Sequence, residues 1–120
     1  MFHSNNDAVW LACMRTAIAA IQDFTAGMDL AAFLADAKTQ AAVLHELMVL
    51  GEAMNHMSDA WLEAHPDIPW FRVIGLRNVV VHEYFGVNLV TVWTTIQRDL
   101  PTLSEPLRRA DSAMDTPDPP

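Results

Sequence analysis

The sequence predicts an all-α fold, an antiparallel bundle of four to five helices, and three observations carry that reading. Ala, Leu, Val and Met supply most of a 52% hydrophobic content, with only four glycines in the chain. Apolar residues recur at helical spacing in four long segments and one short one. Cap residues or Gly/Pro breakers separate those segments. At 120 residues the chain suits one domain with a sizeable core, assigned here to residues 1–110.

Taken in order, Asn5, Asn6 and Asp7 are good N-cap residues for a first helix, Val9 to Phe24. Trp10, Met14, Ile18 and Ile21 form its apolar stripe, and Gly27 ends it. Asp29 caps a short piece in which Leu30, Phe33 and Leu34 make a compact apolar face. Thr39 is expected to open the longest helix, running to about Ala64. At about 100° per residue, Val43, Leu47, Leu50, Met54, Met57 and Trp61 fall on one side of it. His45, Glu52, His56, Asp59 and Glu63 fall on the other. His65-Pro66-Asp67-Ile68-Pro69 stops this helix, and Pro69 suits the first turn of the next, from Trp70 to about Tyr84. Val79-Val80-Val81 is β-branched, but a lone strand would have no partner, so the segment is read as helical. Phe85-Gly86-Val87 forms a turn and Asn88 caps a helix from Leu89 to about Leu100. Pro101 either kinks that helix or begins another toward Arg109. The polar, Pro-rich stretch 111–120 is expected to be a disordered tail.

Charge and cysteine usage narrow the function classes. A net charge of −8 argues against a broadly basic nucleic-acid surface, since only seven basic residues are present. RNA contact would have to be local, or concentrated by pairing two chains. No apolar run approaches the ~20 residues of a membrane helix, so no membrane partner is expected. The start of the chain lacks the basic and apolar signature of a signal peptide. Cys13 is the lone cysteine, so no internal disulfide can form, and a reducing cytoplasm is the expected location.

Chemistry concentrates in Arg77-Asn78-Val79-Val80-Val81-His82-Glu83-Tyr84. On a helix Arg77 and Tyr84 share one face, and Asn78 and His82 share a neighbouring one. Arg77 and His82 lie about 140° apart. They converge only if the helix loosens near His82, or if a second copy brings its own pair alongside. The set suits phosphodiester cleavage. Histidine is the side chain suited to proton transfer near neutral pH, so His82 can act as general base or acid. Arg77 can pair bidentately with a phosphate and stabilise the charge of the transition state. Asn78 can orient the phosphate or His82. RNA supplies its own nucleophile, the 2′-hydroxyl, so no metal or other cofactor is required. A structural reading stands beside it, since a solitary Arg-x4-His match also arises by chance in helical proteins. His82 can simply balance a helix C-terminus, and Arg77 can pair with Glu52 or Glu83.

Three other features have bland readings. His45, Glu52 and His56 share a helical face, better read as a solvated stripe than as a metal site. The seven methionines read as core filler. Trp61, Trp70 and Trp93 read as core or interface anchors, with base stacking as the alternative reading of Trp70.

A series of matches then extends over about two-thirds of the chain, from Phe24 to about Leu103. It comprises Phe24-Thr25-Ala26-Gly27-Met28, Phe33-Leu34-Ala35-Asp36, Lys38-Thr39-Gln40-Ala41-Ala42-Val43 and Gly51-Glu52-Ala53. His65-Pro66-Asp67-Ile68-Pro69-Trp70, Ile74-Gly75-Leu76-Arg77-Asn78 and His82-Glu83-Tyr84-Phe85-Gly86-Val87 follow in order. Val92-Trp93 and Asp99-Leu100-Pro101 complete it. In these segments the chain resembles the HepT-like family of HEPN-domain proteins.

The resemblance implies a helical bundle that forms a homodimer. It implies the toxin of a type VII-like toxin–antitoxin pair, a metal-independent endoribonuclease. The implied antitoxin is a minimal nucleotidyltransferase called MntA, which adds AMP to the tyrosine of an R-x4-H-x-Y motif. Carried over, Arg77 and His82 are catalytic, Asn78 is the polar residue after the arginine, and Tyr84 is the AMPylation site. Glu52 is a candidate support for Arg77. One departure stands out: many relatives have glycine between the histidine and the tyrosine, where this chain has Glu83. A carboxylate there could repel an RNA phosphate or raise the pKa of His82. The alternative is a non-catalytic helical partner that is only the nucleotidyltransferase's substrate.

Overall fold

The structure is a computed structural model that describes residues 2–83 and 86–115, with side chains described from 6 to 83 and 86 to 113. Six helices occur among the described residues, with no strand: α1 Phe2–Thr25, α2 Leu30–Leu34, α3 Ala37–Asn55, α4 Asp59–Ala64, α5 Trp70–His82 and α6 Leu89–Asp115. The all-α expectation holds. α3 packs between α1 and α5, α1 packs in turn on α6, and α2 bridges α3 to α6.

The neighbours run antiparallel. Along α1 and α3, Asp7 meets Ser58 beyond the end of α3, and Trp10 meets His56. Along α1 and α6, Arg15 meets Asp111, while Thr25 lies near Ile96 and Leu100. The core is the sum of the apolar stripes. Leu11, Met14, Ile18 and Ile21 come from α1, and Val43, Leu47, Leu50 and Met54 from α3. Val73 and Val80 of α5 join them, with Phe33, Trp61 and the buried face of α6. No described helix is long and apolar enough to cross a membrane.

Several boundaries differ from the sequence expectation, each for a local reason. α1 begins at Phe2, ahead of Asn5, Asn6 and Asp7, so these residues are not its caps. Asp7 is instead buried, and accepts hydrogen bonds from the Ser58 backbone N–H (2.9 Å) and hydroxyl (2.6 Å). Asp36, not Thr39, caps α3, accepting the Thr39 backbone N–H at 3.0 Å.

The helix expected over 39–64 is two helices. α3 ends at Asn55, and Ser58 caps α4 by accepting the Trp61 N–H at 3.2 Å. The apolar pattern runs through the break because Met57 and Trp61 still land in the core. α5 ends at His82, not Tyr84, and retains the helical conformation at Val79-Val80-Val81. Asn88 caps α6, accepting N–H groups from Val90 and Thr91.

α6 passes through Pro101 and Pro106 and continues to Asp115, into the stretch expected to be a tail. Val92, Ile96, Leu100, Leu103, Leu107 and Ala110 are all buried at spacings of three or four. That stripe keeps one helical phase across both prolines, and the packing it secures outweighs the lost ladder bonds. The Arg15–Asp111 ion pair then fastens the far end of α6 to α1.

Candidate active site

Arg77 stands where α5 passes close against α3, and a glycine makes that approach possible. A Cβ built on Gly51 would lie 2.5 Å from Arg77 Cγ and nearer still to its Cβ. The bare backbone of Gly51 is therefore the floor on which the Arg77 stem lies. Beyond it the guanidinium is held on two sides. One Nη donates to Glu52 Oε2, and the other donates to Asn78 Oδ1 at 2.9 Å. Arg77 Nε is buried and has no hydrogen-bond partner. With the arginine side chain 25% exposed and Glu52 44% exposed, this pair orients the guanidinium more than it stabilises the fold.

Glu52 uses its second oxygen as well. Its Oε1 lies 3.2 Å from His56 Nε2, and the His56 ring stacks on Trp10 with centroids 4.5 Å apart and planes 14° apart. Trp10, His56, Glu52, Arg77 and Asn78 therefore form one connected chain across α1, α3 and α5. Beside it is an apolar groove of about 360 Å³, walled by Trp10, Cys13, Met48, Val49 and Val81, with Arg77 and Glu52 also in its lining.

His82 is the last residue of α5 and is exposed. The Glu83 N–H still bonds to the Val79 carbonyl at 2.8 Å, so the helix does not loosen at His82. Arg77 and His82 thus stay on different sides of α5, about 140° apart. Asn78 connects the two sides, because it bonds to Arg77 and sits one turn before His82 on the same face. Glu83 is exposed at the C-cap. Tyr84 lies outside the described residues.

Sequence reasoning offered Glu52 or Glu83 as a partner for Arg77, and Arg77 is bonded to Glu52. It did not find the Gly51 floor, nor the place of Trp10 and His56. The close approach at Gly51 left one sequence signal, a glycine inside a helical pattern beside Glu52. The Trp10–His56 stack joins residues 46 apart and left none. His45 is exposed on the rim of the groove and does not join the Glu52–His56 pair. Among the described residues no group of three His, Cys, Asp or Glu gathers as a metal site would.

Chemically, the arrangement offers a fixed guanidinium on one side of α5, an exposed imidazole on another, and an amide that connects them. Comparison with known proteins bears on the same stretch. The model of a family described as ribonuclease HepT-like matches residues 14–110, which include Gly51, Glu52, Arg77, Asn78 and His82. The chain belongs to the ribonuclease HepT-like family.

Individual HepT-like relatives agree. The chain is 38% identical over 87 residues to a protein of Thermococcus cleftensis named "Probable ribonuclease HepT", covering 72% of this chain and 79% of that one. It is 30% identical over 83 residues to a protein of Methanocaldococcus jannaschii named as a candidate RNase, covering 69% and 76% of the two. A second such protein from the same organism is 37% identical over 81 residues, covering 68% and 67%. No solved structure matches the chain.

Proposed function

We propose that this chain is a metal-independent endoribonuclease that acts through Arg77 and His82. The observation that carries the reading is the seating of Arg77. Gly51, Glu52 and Asn78 hold its guanidinium in one orientation within a HepT-like bundle. A guanidinium oriented in advance stabilises a pentavalent phosphate without reorganising.

In the proposed step the 2′-hydroxyl of RNA attacks the adjacent phosphorus. A general base takes the hydroxyl proton, the bond to the 5′-oxygen breaks, and a general acid protonates that oxygen. The products are a 2′,3′-cyclic phosphate and a 5′-hydroxyl end. His82 supplies one of these proton transfers. Because the helix holds Arg77 and His82 apart, a homodimer that shares one cleft fits the reading best. In it the Arg77 of one chain and the His82 of the other could face the same phosphate, and the second His82 could serve the other proton. The apolar groove beside Arg77 gives such a dimer a surface to cover.

The same reading makes the chain a toxin whose antitoxin is an MntA-like nucleotidyltransferase. There the Tyr84 phenol oxygen attacks the α-phosphate of ATP, pyrophosphate leaves, and AMP is attached beside the Arg77 motif. The added phosphate could occupy Arg77 and block RNA.

The test is cleavage of RNA by the purified protein in chelator, compared with Arg77→Ala and His82→Ala. Cleavage by the parent alone, leaving cyclic phosphate ends, is expected. Equal cleavage by all three, or none by the parent, would overturn the nuclease. The chain's charge of −8 favours one second reading, a non-catalytic partner of the nucleotidyltransferase. Expression alone slows growth under the nuclease reading and has no effect under the second.

A further inference from the structure

The exposed side of α5 carries more than Asn78 and His82. At about 100° per residue, Phe71, Gly75, Asn78 and His82 fall within one narrow stripe about 16 Å long. All four are exposed. Phe71 is 75% exposed, more than any other large hydrophobic residue described. It stacks on Trp70, with centroids 3.8 Å apart, which fixes its ring while one face stays open. Nothing stands within 4 Å of a Cβ placed on Gly75, so the middle of the stripe is open ground.

A cationic site adjoins the stripe at Gly75. Asp99 of α6 is buried, and its Oδ1 lies 3.0 Å from Arg98 Nε and 3.5 Å from an Arg72 Nη. Both arginine side chains are otherwise exposed, 60% for Arg98 and 64% for Arg72. One buried carboxylate thus positions two guanidinium groups, and most of their N–H donors remain free for another anion. A shallow pocket of about 400 Å³ lies between them, and Gly75 is part of its wall.

We infer that this face of α5 is a track for single-stranded RNA leading to the proposed cleavage site. The Arg72–Arg98 pair takes a backbone phosphate, Phe71 stacks a base, and the strand crosses Gly75 toward Asn78 and His82. Stacked aromatics beside positioned cations are what strand-tracking surfaces use, and they read no particular sequence. The inference rests on the nuclease reading for the direction of the strand, and its test separates the two.

Binding is measured by fluorescence anisotropy with a labelled 2′-O-methyl RNA of roughly 12 nucleotides, which lacks the nucleophile and stays intact. The parent is compared with Phe71→Ala and with Arg72→Gln, a change that leaves Arg98 on Asp99 so that no buried carboxylate is orphaned. Each variant is expected to bind about tenfold more weakly. Arg72→Gln should also flatten the salt dependence by about 0.7 in log–log slope. Cleavage of a dinucleotide, too short to span from His82 to Phe71, should keep its kcat/KM in both variants.

Equal RNA affinity and slope in all three proteins overturns the track and leaves the nuclease standing. A change of oligomeric state in Phe71→Ala, with RNA affinity kept, assigns Phe71 to a protein interface and also overturns it. A parent that neither binds nor cleaves RNA removes the nuclease reading together with the track.

Discussion

Gly51 and Glu52 are adjacent in sequence and act on the same arginine by different means, one by absence of bulk and one by charge. Gly51→Ala would drive a methyl group into the Arg77 stem. Backbone and stem must then separate, so unfolding free energy should fall by about 1–3 kcal/mol in denaturant titration. RNA cleavage should fall with it, because the guanidinium moves. Glu52→Gln keeps the shape and removes the charge from the Arg77 pair. We expect its stability within about 0.5 kcal/mol of the parent, since the pair is half-exposed. Its cleavage rate should drop in kcat more than in KM if Glu52 serves only to aim Arg77. A rise in KM alone would show that Glu52 bears on RNA binding instead.

Between elements, a few polar contacts decide where helices stop. Asp7 is spent on Ser58, and so fixes the break between α3 and α4 from the other side of the bundle. Asp7→Ala leaves the Ser58 N–H without that acceptor and should cost about 1–3 kcal/mol. Asp7→Asn keeps an acceptor oxygen and should cost less, a ranking that thermal melts can check. At the start of α3, the Asp36 carboxyl is held below the usual carboxylate range, first by the Thr39 backbone N–H and then by the Thr39 hydroxyl. A depressed carboxylate contributes stability above its unfolded pKa, and that contribution is lost as pH falls through the lower folded value. Stability should therefore fall on the acid side, and Asp36→Asn should flatten that limb in melts taken across acid pH. Pro101 is exposed within α6 and lacks the N–H that the helix would use. Pro101→Ala should raise the melting temperature, worth up to about 3 kcal/mol less the entropy that proline removes from the unfolded chain.

For the whole molecule, charge sets the limits. The chain carries −8 overall, and each of its six arginines has a carboxylate partner among the described residues. RNA binding therefore rests on few phosphate contacts. The log–log salt slope for single-stranded RNA should be shallow, about −1 to −2, rather than the steep slope of a basic protein. A steep slope would mean that many more cations reach the strand than this surface presents. If two chains share the cleft, light scattering should give twice the chain mass. Val81→Asp on the groove wall should return it to one chain and abolish cleavage while leaving the helical signal intact.

Local pattern was enough for the helical class, for the core faces of α1 and α3, and for the caps at Asp29 and Asn88, because each depends on residues a few positions apart. The Arg77, Asn78 and His82 set was legible for the same reason. Where helices break or persist was not. Asp7 bonding to Ser58 and the buried stripe that carries α6 through two prolines are long-range facts that override local signals. Tertiary structure alone decided that Arg77 rests on Gly51 and Glu52, that His56 and Trp10 extend that chain, and that Arg72 and Arg98 meet over a buried Asp99. Each of these couples residues at least 26 positions apart or on different helices, and a sequence pattern read one helix at a time holds no information about which faces meet.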